Sequence, residues 1–107
     1  MGIRIMSVTS QALGNAIKVT IDGHVGIECY EDFNHAVVQN LKNDSVFTID
    51  LKRTVSLDSS ALGMLLLLRE KMNGDMSRVL LINVNEPVLK VLNMAKFDLL
   101  FSISSHS

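Results

Sequence analysis

Residues 17–22 alternate strictly: Ile17, Val19 and Ile21 are apolar, whereas Lys18, Thr20 and Asp22 are polar. A period of two sends one set to a core and the other to water, which predicts a half-buried strand. Residues 3–8 read as an earlier strand, with Gly14-Asn15 as a turn, so the chain opens with a hairpin. A loop with two glycines covers 23–29. The period then changes. Phe33, Ala36, Val37 and Leu41 recur at helical spacing and predict an amphipathic helix over 30–41. A short apolar strand follows at 46–51, then a connector at 52–57 and a second helix at 59–72. Asn73-Gly74-Asp75 closes that helix, with Gly74 suited to a left-handed cap. Val79-Leu80-Leu81-Ile82 is apolar without alternation and predicts a strand covered on both faces. Asn85 and Pro87 start a third helix carrying Val88, Leu89, Val91 and Leu92. A last strand at 99–103 and a frayed tail from Ser104 complete the reading.

The predicted order is β-β-α-β-α-β-α-β. It describes an α/β protein with a mixed sheet: an N-terminal hairpin, then alternating units joined by right-handed crossovers. At 107 residues the chain is one domain, 1–107, long enough to bury a core without disulfides or metal. With 48% hydrophobic residues and a net charge of -1 it is not a disordered chain. Ten basic residues against eleven acidic ones exclude binding of nucleic acid by bulk charge. No Trp and few aromatics exclude a base-stacking platform. The longest apolar run, 61–68, falls far short of the roughly 20 residues of a bilayer span, and no apolar signal core opens the chain. The expectation is a soluble cytoplasmic protein with no membrane insertion. A single cysteine fits a reducing compartment.

Catalytic signatures are missing. There is no Gly-rich phosphate loop, and His24 and His35 have no partner at metal-ligand spacing, so both read as surface histidines, as does His106. Cys29 has no evident activator and is expected to be a buried or neutral thiol. The expectation is no catalytic residue, no metal, no cofactor and no enzyme.

One segment stands apart: Ser56-Leu57-Asp58-Ser59-Ser60-Ala61-Leu62-Gly63, where a connector feeds a helix. Asp and Ser are good N-cap residues, so a plain cap explains part of it. The helix beyond carries more information. At about 100° per residue, Ala61, Leu65, Leu68 and Met72 form the core stripe, flanked by Leu62 and Met64. Ser59, Gly63, Leu66 and Glu70 share the far side, with Leu67 beside them. A hydroxyl, a missing side chain and two leucines on an outer face mean either a docking partner or cover from another element of this chain.

Asp58-Ser59-Ser60-Ala61-Leu62-Gly63 resembles the Asp-Ser-Ser/Thr-Gly-Leu-Gly motif of STAS domains, the anti-sigma factor antagonist family. The likeness extends along the chain. Ile17-Lys18-Val19-Thr20-Ile21-Asp22-Gly23 resembles the family's second strand, and Val46-Phe47-Thr48-Ile49-Asp50-Leu51 the strand before the motif. Leu80-Leu81-Ile82-Asn83 and Val88-Leu89-Lys90-Val91-Leu92 resemble the later strand and helix. The resemblance implies a phosphoacceptor at Ser59, with Ser60 the neighbour usually left unmodified. It implies a partner-switching protein that binds an anti-sigma factor/serine kinase with a histidine-kinase-like ATPase fold and loses affinity when phosphorylated. A PP2C-type phosphatase then restores it. Asp58, Ser60, Gly63, Leu66, Leu67, Glu70, His24 and Gly26 are the expected partner-binding residues. The alternative within the family is an accessory subunit of a membrane transport complex that works without a phosphorylated serine. Two departures stand out. Ala61 replaces the usual glycine, and His24-Val25-Gly26 lacks the aspartate that many relatives carry; both are expected near the partner surface.

Overall fold

In the computed structural model, which describes residues 6–105, β1 (Met6–Leu13) and β2 (Ala16–Val25) form the hairpin. They pair antiparallel from Met6↔Gly23 to Leu13↔Ala16. Gly14 turns the chain at φ +64, a left-handed conformation that glycine adopts without steric cost. The first strand thus extends further toward the turn than the predicted 3–8. β1 is an edge strand rich in Ser and Thr, and an edge needs little apolar patterning. Residues 3–5 lie outside the described part, as does His106.

A 3-10 turn, Ile27–Cys29, leads into α1 (Tyr30–Asn40). β3 (Val46–Asp50) and β4 (Thr54–Leu57) come next, then α2 (Ser59–Lys71), β5 (Val79–Val84), α3 (Glu86–Met94) and β6 (Ser102–Ser105). The six-stranded sheet runs β1-β2-β3-β5-β6, with β4 beside β2. Among the described residues only the hairpin is antiparallel; the other pairs are parallel.

Three expectations need correction. The connector at 52–57 contains a strand. β3 covers β2 only along residues 16–20, and β4 takes over the same edge from Gly23 onward. The last strand lies at Ser102–Ser105 and not at 99–103, so Ser104 lies within a strand and Ser105 pairs with Val84 instead of fraying. Phe97 and Phe101 instead close a turn, their rings 5.2 Å apart. Finally, β5 is fully covered on one face only. Val79, Leu81 and Val84 are buried, but Leu80 and Ile82 on the opposite face are half-buried.

That opposite face is shared by Lys18 and Thr20 of β2 and Thr48 and Asp50 of β3, which stand in register with Leu80 and Ile82. Buried Asp50 accepts from Lys52 N–H at 3.0 Å and from Asn83 Nδ2 at 3.2 Å, and pairs with Lys18 Nζ at 3.4 Å. Burial pushes its carboxyl up, but these bonds outweigh burial and hold it below the usual carboxylate value. The inner face, Ile17, Val19, Ile21, Phe47, Ile49 and Leu81, joins the buried stripes of the helices in one core. The start of α3 is built as predicted, whereas behind α2 the first left-handed residue past the cap is Asn73 at φ +59, with Gly74 next to it. Asn85 Oδ1 accepts from Val88 N–H at 3.1 Å with Pro87 in the first turn of α3, and Gly74 takes φ +70 behind α2.

Candidate functional site

The site is assembled where β4 meets α2. Asp58 has extended backbone and its Oδ1 accepts from Ala61 N–H at 3.0 Å, the geometry of an N-cap. The cap reading therefore holds, and it sets Ser59 and Ser60 as the first two residues of α2. Ser59 is exposed and Ser60 half-buried.

β2 delivers the second segment. Its parallel pairing with β4 places His24 opposite Ser56 and Val25 opposite Leu57. Asp58 N–H donates to the Val25 carbonyl at 3.1 Å, which prolongs the pairing into the cap. His24 Nδ1 lies 2.8 Å from Ser56 Oγ, and both residues are exposed. Gly26 is buried against the cap: a β-carbon there would stand 2.5 Å from Asp58 Oδ2. His24, Gly26, Asp58, Ser59 and Ser60 thus converge at one end of the sheet, although more than thirty residues separate the two segments.

Along α2 the two faces separate as the helical wheel requires. Ala61, Met64, Leu65, Leu68 and Met72 are buried. Leu66 is 39% exposed and Leu67 45%, Glu70 is exposed, and a β-carbon added at Gly63 would meet nothing within 4 Å. The stripe is only partly covered, by α1 along the Leu67 side. Ala61 proves to be a core residue, so its departure from the usual glycine bears on packing beneath α2 and not on the outer face.

Two residues of this surface escape the sequence reading. Ile27 is 66% exposed in the 3-10 turn, and Tyr30 is 40% exposed at the start of α1. Tyr30 and Leu67 line the same groove between α1 and α2, with Asn34, Met64 and Lys71. No periodicity marks Ile27, because a turn has none. Only its place directly after Gly26 could have flagged it.

Cys29 is buried behind the turn. Burial pushes its thiol up, and the nearby carboxylates of Asp32, Glu28 and Asp58 push it the same way, so at neutral pH it is a protonated thiol and a poor nucleophile. Among the described residues no group of three or more His, Cys, Asp or Glu side chains is placed to hold a metal ion. No described helix is long and apolar enough to cross a membrane.

The arrangement offers an exposed hydroxyl at a helix N-terminus, with partly exposed leucines about two turns further along the same helix. Comparison with known proteins gives it a family. Residues 8–102 match the family described as "Mlab, STAS domain". A STAS-domain containing protein of Pseudomonas aeruginosa is 35% identical over 101 residues, covering 92% of this chain and all of that protein. Among solved structures, a candidate anti-sigma factor antagonist from Thermotoga maritima superposes with a TM-score of 0.77 at 19% identity, over 92% of this chain and 86% of that one. The Bacillus cell fate determinant SpoIIAA, in its phosphorylated form, gives 0.64 at 13% identity, over 92% of each chain. The fold is therefore the one anti-sigma factor antagonists use, and the chain belongs to the STAS-domain family.

Proposed function

We propose that this chain is a partner-switching regulator of the anti-sigma factor antagonist kind, acting as a binding protein and phosphorylation substrate and not as a catalyst. Its partner is an anti-sigma or serine-kinase-type protein with a histidine-kinase-like ATPase fold, and phosphorylation of Ser59 switches binding off. A PP2C-type phosphatase resets it. The observation that carries this reading is the position of Ser59: exposed, directly after the Asp58 cap, on the same outward stripe as Leu66 and Leu67.

A phosphoserine adds roughly -1.5 to -2 charges at neutral pH. At a helix N-terminus it meets free N–H groups and a favourable dipole, so the helix tolerates it. An interface does not. The group would have to shed water inside an interface that also takes in Leu66 and Leu67, about two turns further along α2, with the Asp58 carboxylate next to it, and that costs several kcal/mol.

The test compares Ser59→Ala and Ser59→Asp chains as bait for native-cell proteins. An ATPase-kinase held by the alanine form and lost from the aspartate form is the expected result. A transport-complex subunit held equally by both forms would replace this reading with the accessory-subunit one.

A further inference from the structure

Resting on the partner-switching reading, we infer that the partner surface is cationic around an apolar centre, and that Glu28, Glu31, Asp58 and Glu70 draw it onto the α1–α2 face. The apolar centre on this side is Ile27, Tyr30, Leu66 and Leu67, all exposed. They come from the 3-10 turn, the start of α1 and the outer stripe of α2, elements that pack directly on one another. Four exposed carboxylates belong to the same elements or cap them. Glu28 follows Ile27 and Glu31 follows Tyr30, while Glu70 sits one helical turn beyond Leu66 and Asp58 caps α2. Gly26, which opens the turn that carries Glu28, packs against the Asp58 carboxylate, so the turn and the cap share one acidic sector.

Cations are sparse there. Lys71 lines the α1–α2 groove, and Arg69 is turned away to donate from Nε to the Leu100 carbonyl at 3.2 Å. Lys42, Lys71 and Arg78 instead line a pocket at the C-terminal end of α2. With eleven acidic and ten basic residues the chain is nearly neutral; Glu70 stands between Arg69 and Lys71, whereas Glu28, Glu31 and Asp58 have no Lys or Arg next to them in sequence, so the acidic character is strongest at the turn and the cap. An acidic surface repels nucleic acid and anionic lipid headgroups alike. It attracts a protein surface bearing Lys and Arg around an apolar side chain.

The two features divide the labour. Exposed charges set the association rate and its salt dependence, whereas a desolvated central group sets dissociation. Phosphate at Ser59 therefore acts by speeding release, and the carboxylates act by speeding arrival.

Two measurements test this. The first titrates the isotope-labelled full chain with a synthetic amphipathic helical peptide bearing Leu on one face and Lys/Arg on the other, and with its counterpart carrying Glu for every Lys/Arg. The cationic peptide should shift the amides of Ile27, Tyr30, Leu66 and Leu67 in NMR spectra. Its binding should weaken at least tenfold from 50 to 500 mM salt, and at least tenfold in Glu28→Lys/Glu31→Lys. Glu70→Lys, on a separate element, should weaken it in the same direction, and Lys42→Glu should leave it within twofold. Equal binding of the anionic peptide, or shifts centred on Lys42 and Arg78, would overturn the inference. The second measures association and dissociation rates of the kinase-type partner captured by Ser59→Ala. Glu28→Lys/Glu31→Lys should slow association at least tenfold, and Ser59→Asp should raise the dissociation rate. If association ignores both salt and the charge reversal, the cationic partner surface is wrong while switching stands. If Ser59→Ala and Ser59→Asp release the partner equally, switching is wrong while the peptide result still decides the surface.

Discussion

Gly26 and Asp58 are in contact across two segments of the chain: a β-carbon on Gly26 would stand 2.5 Å from Asp58 Oδ2. Gly26 has extended backbone at φ -148, so space and not backbone freedom requires glycine here. The Asp58 carboxylate cannot simply swing aside, because its other oxygen holds Ala61 N–H. Gly26→Ala should therefore disturb the α2 cap and cost about 1–2 kcal/mol, the range of a lost N-cap. In an Asp58→Ala background the clash is gone, so the same substitution should cost much less. A double-mutant cycle by urea denaturation reads the coupling. Additive effects would mean that the two residues do not constrain each other.

The outer stripe of α2 makes a sharper contrast possible between neighbours in sequence. Leu65 is 3% exposed and Leu66 39%. Leu65→Ala should destabilise the domain by about 2–5 kcal/mol, as buried large-to-small changes do. Leu66→Lys should stay within about 0.5 kcal/mol of the parent while abolishing partner capture. A large stability loss for Leu66→Lys would place it in the core and remove it from the partner surface.

Much of this was legible in the sequence because helical periodicity is a strong signal over four turns. Ala61, Leu65, Leu68 and Met72 fall on one line and are all buried. The strict alternation of β2 is likewise reproduced, with Ile17, Val19 and Ile21 buried. β4 escaped because Thr54–Leu57 spans four residues, with only its ends buried, which is too short for a period to declare itself. The last strand is misplaced because 99–103 reads as an apolar run, yet Leu99 belongs to a 3-10 turn and Phe101 packs on Phe97. In the site, the motif and its outer stripe could be read from local spacing. The closeness of Gly26 to Asp58, and the exposure of Ile27 and Tyr30, depend on the parallel pairing of β2 with β4, which no local pattern records.

Asp50 ties the sheet together through Lys18, the Lys52 N–H and Asn83. Asp50→Ala leaves the last two donors without their acceptor and should cost about 2–3 kcal/mol at pH 7. The pH dependence follows from the direction of its shift. Its folded value lies below the ordinary 3.8, so its ionised form stabilises the fold above that pH. The contribution disappears as pH falls through the folded value. The stability gap between the parent and Asp50→Asn should therefore be constant from pH 5 to 8 and shrink in stronger acid. A gap that widens on acidification would reverse the sign of the argument.

Phosphorylation should act on binding and leave the fold alone. Ser59 is the first residue of α2, where the free N–H groups and the positive end of the helix dipole favour a negative charge. Ser59→Asp should therefore be neutral or stabilising by up to about 0.5 kcal/mol, read from thermal unfolding at low salt. The Asp58 carboxylate beside it sets the upper limit, since it already occupies the Ala61 N–H and repels a second charge. Moving the same charge to the other end of α2 gives the control. Lys71→Glu, in the last turn, faces the negative end of the dipole and also removes a cation that favours it, so it should destabilise by about 0.5–1 kcal/mol. If Ser59→Asp instead unfolded the domain at lower temperature than the parent, loss of partner binding on phosphorylation would be a loss of structure, and the interface argument would fall.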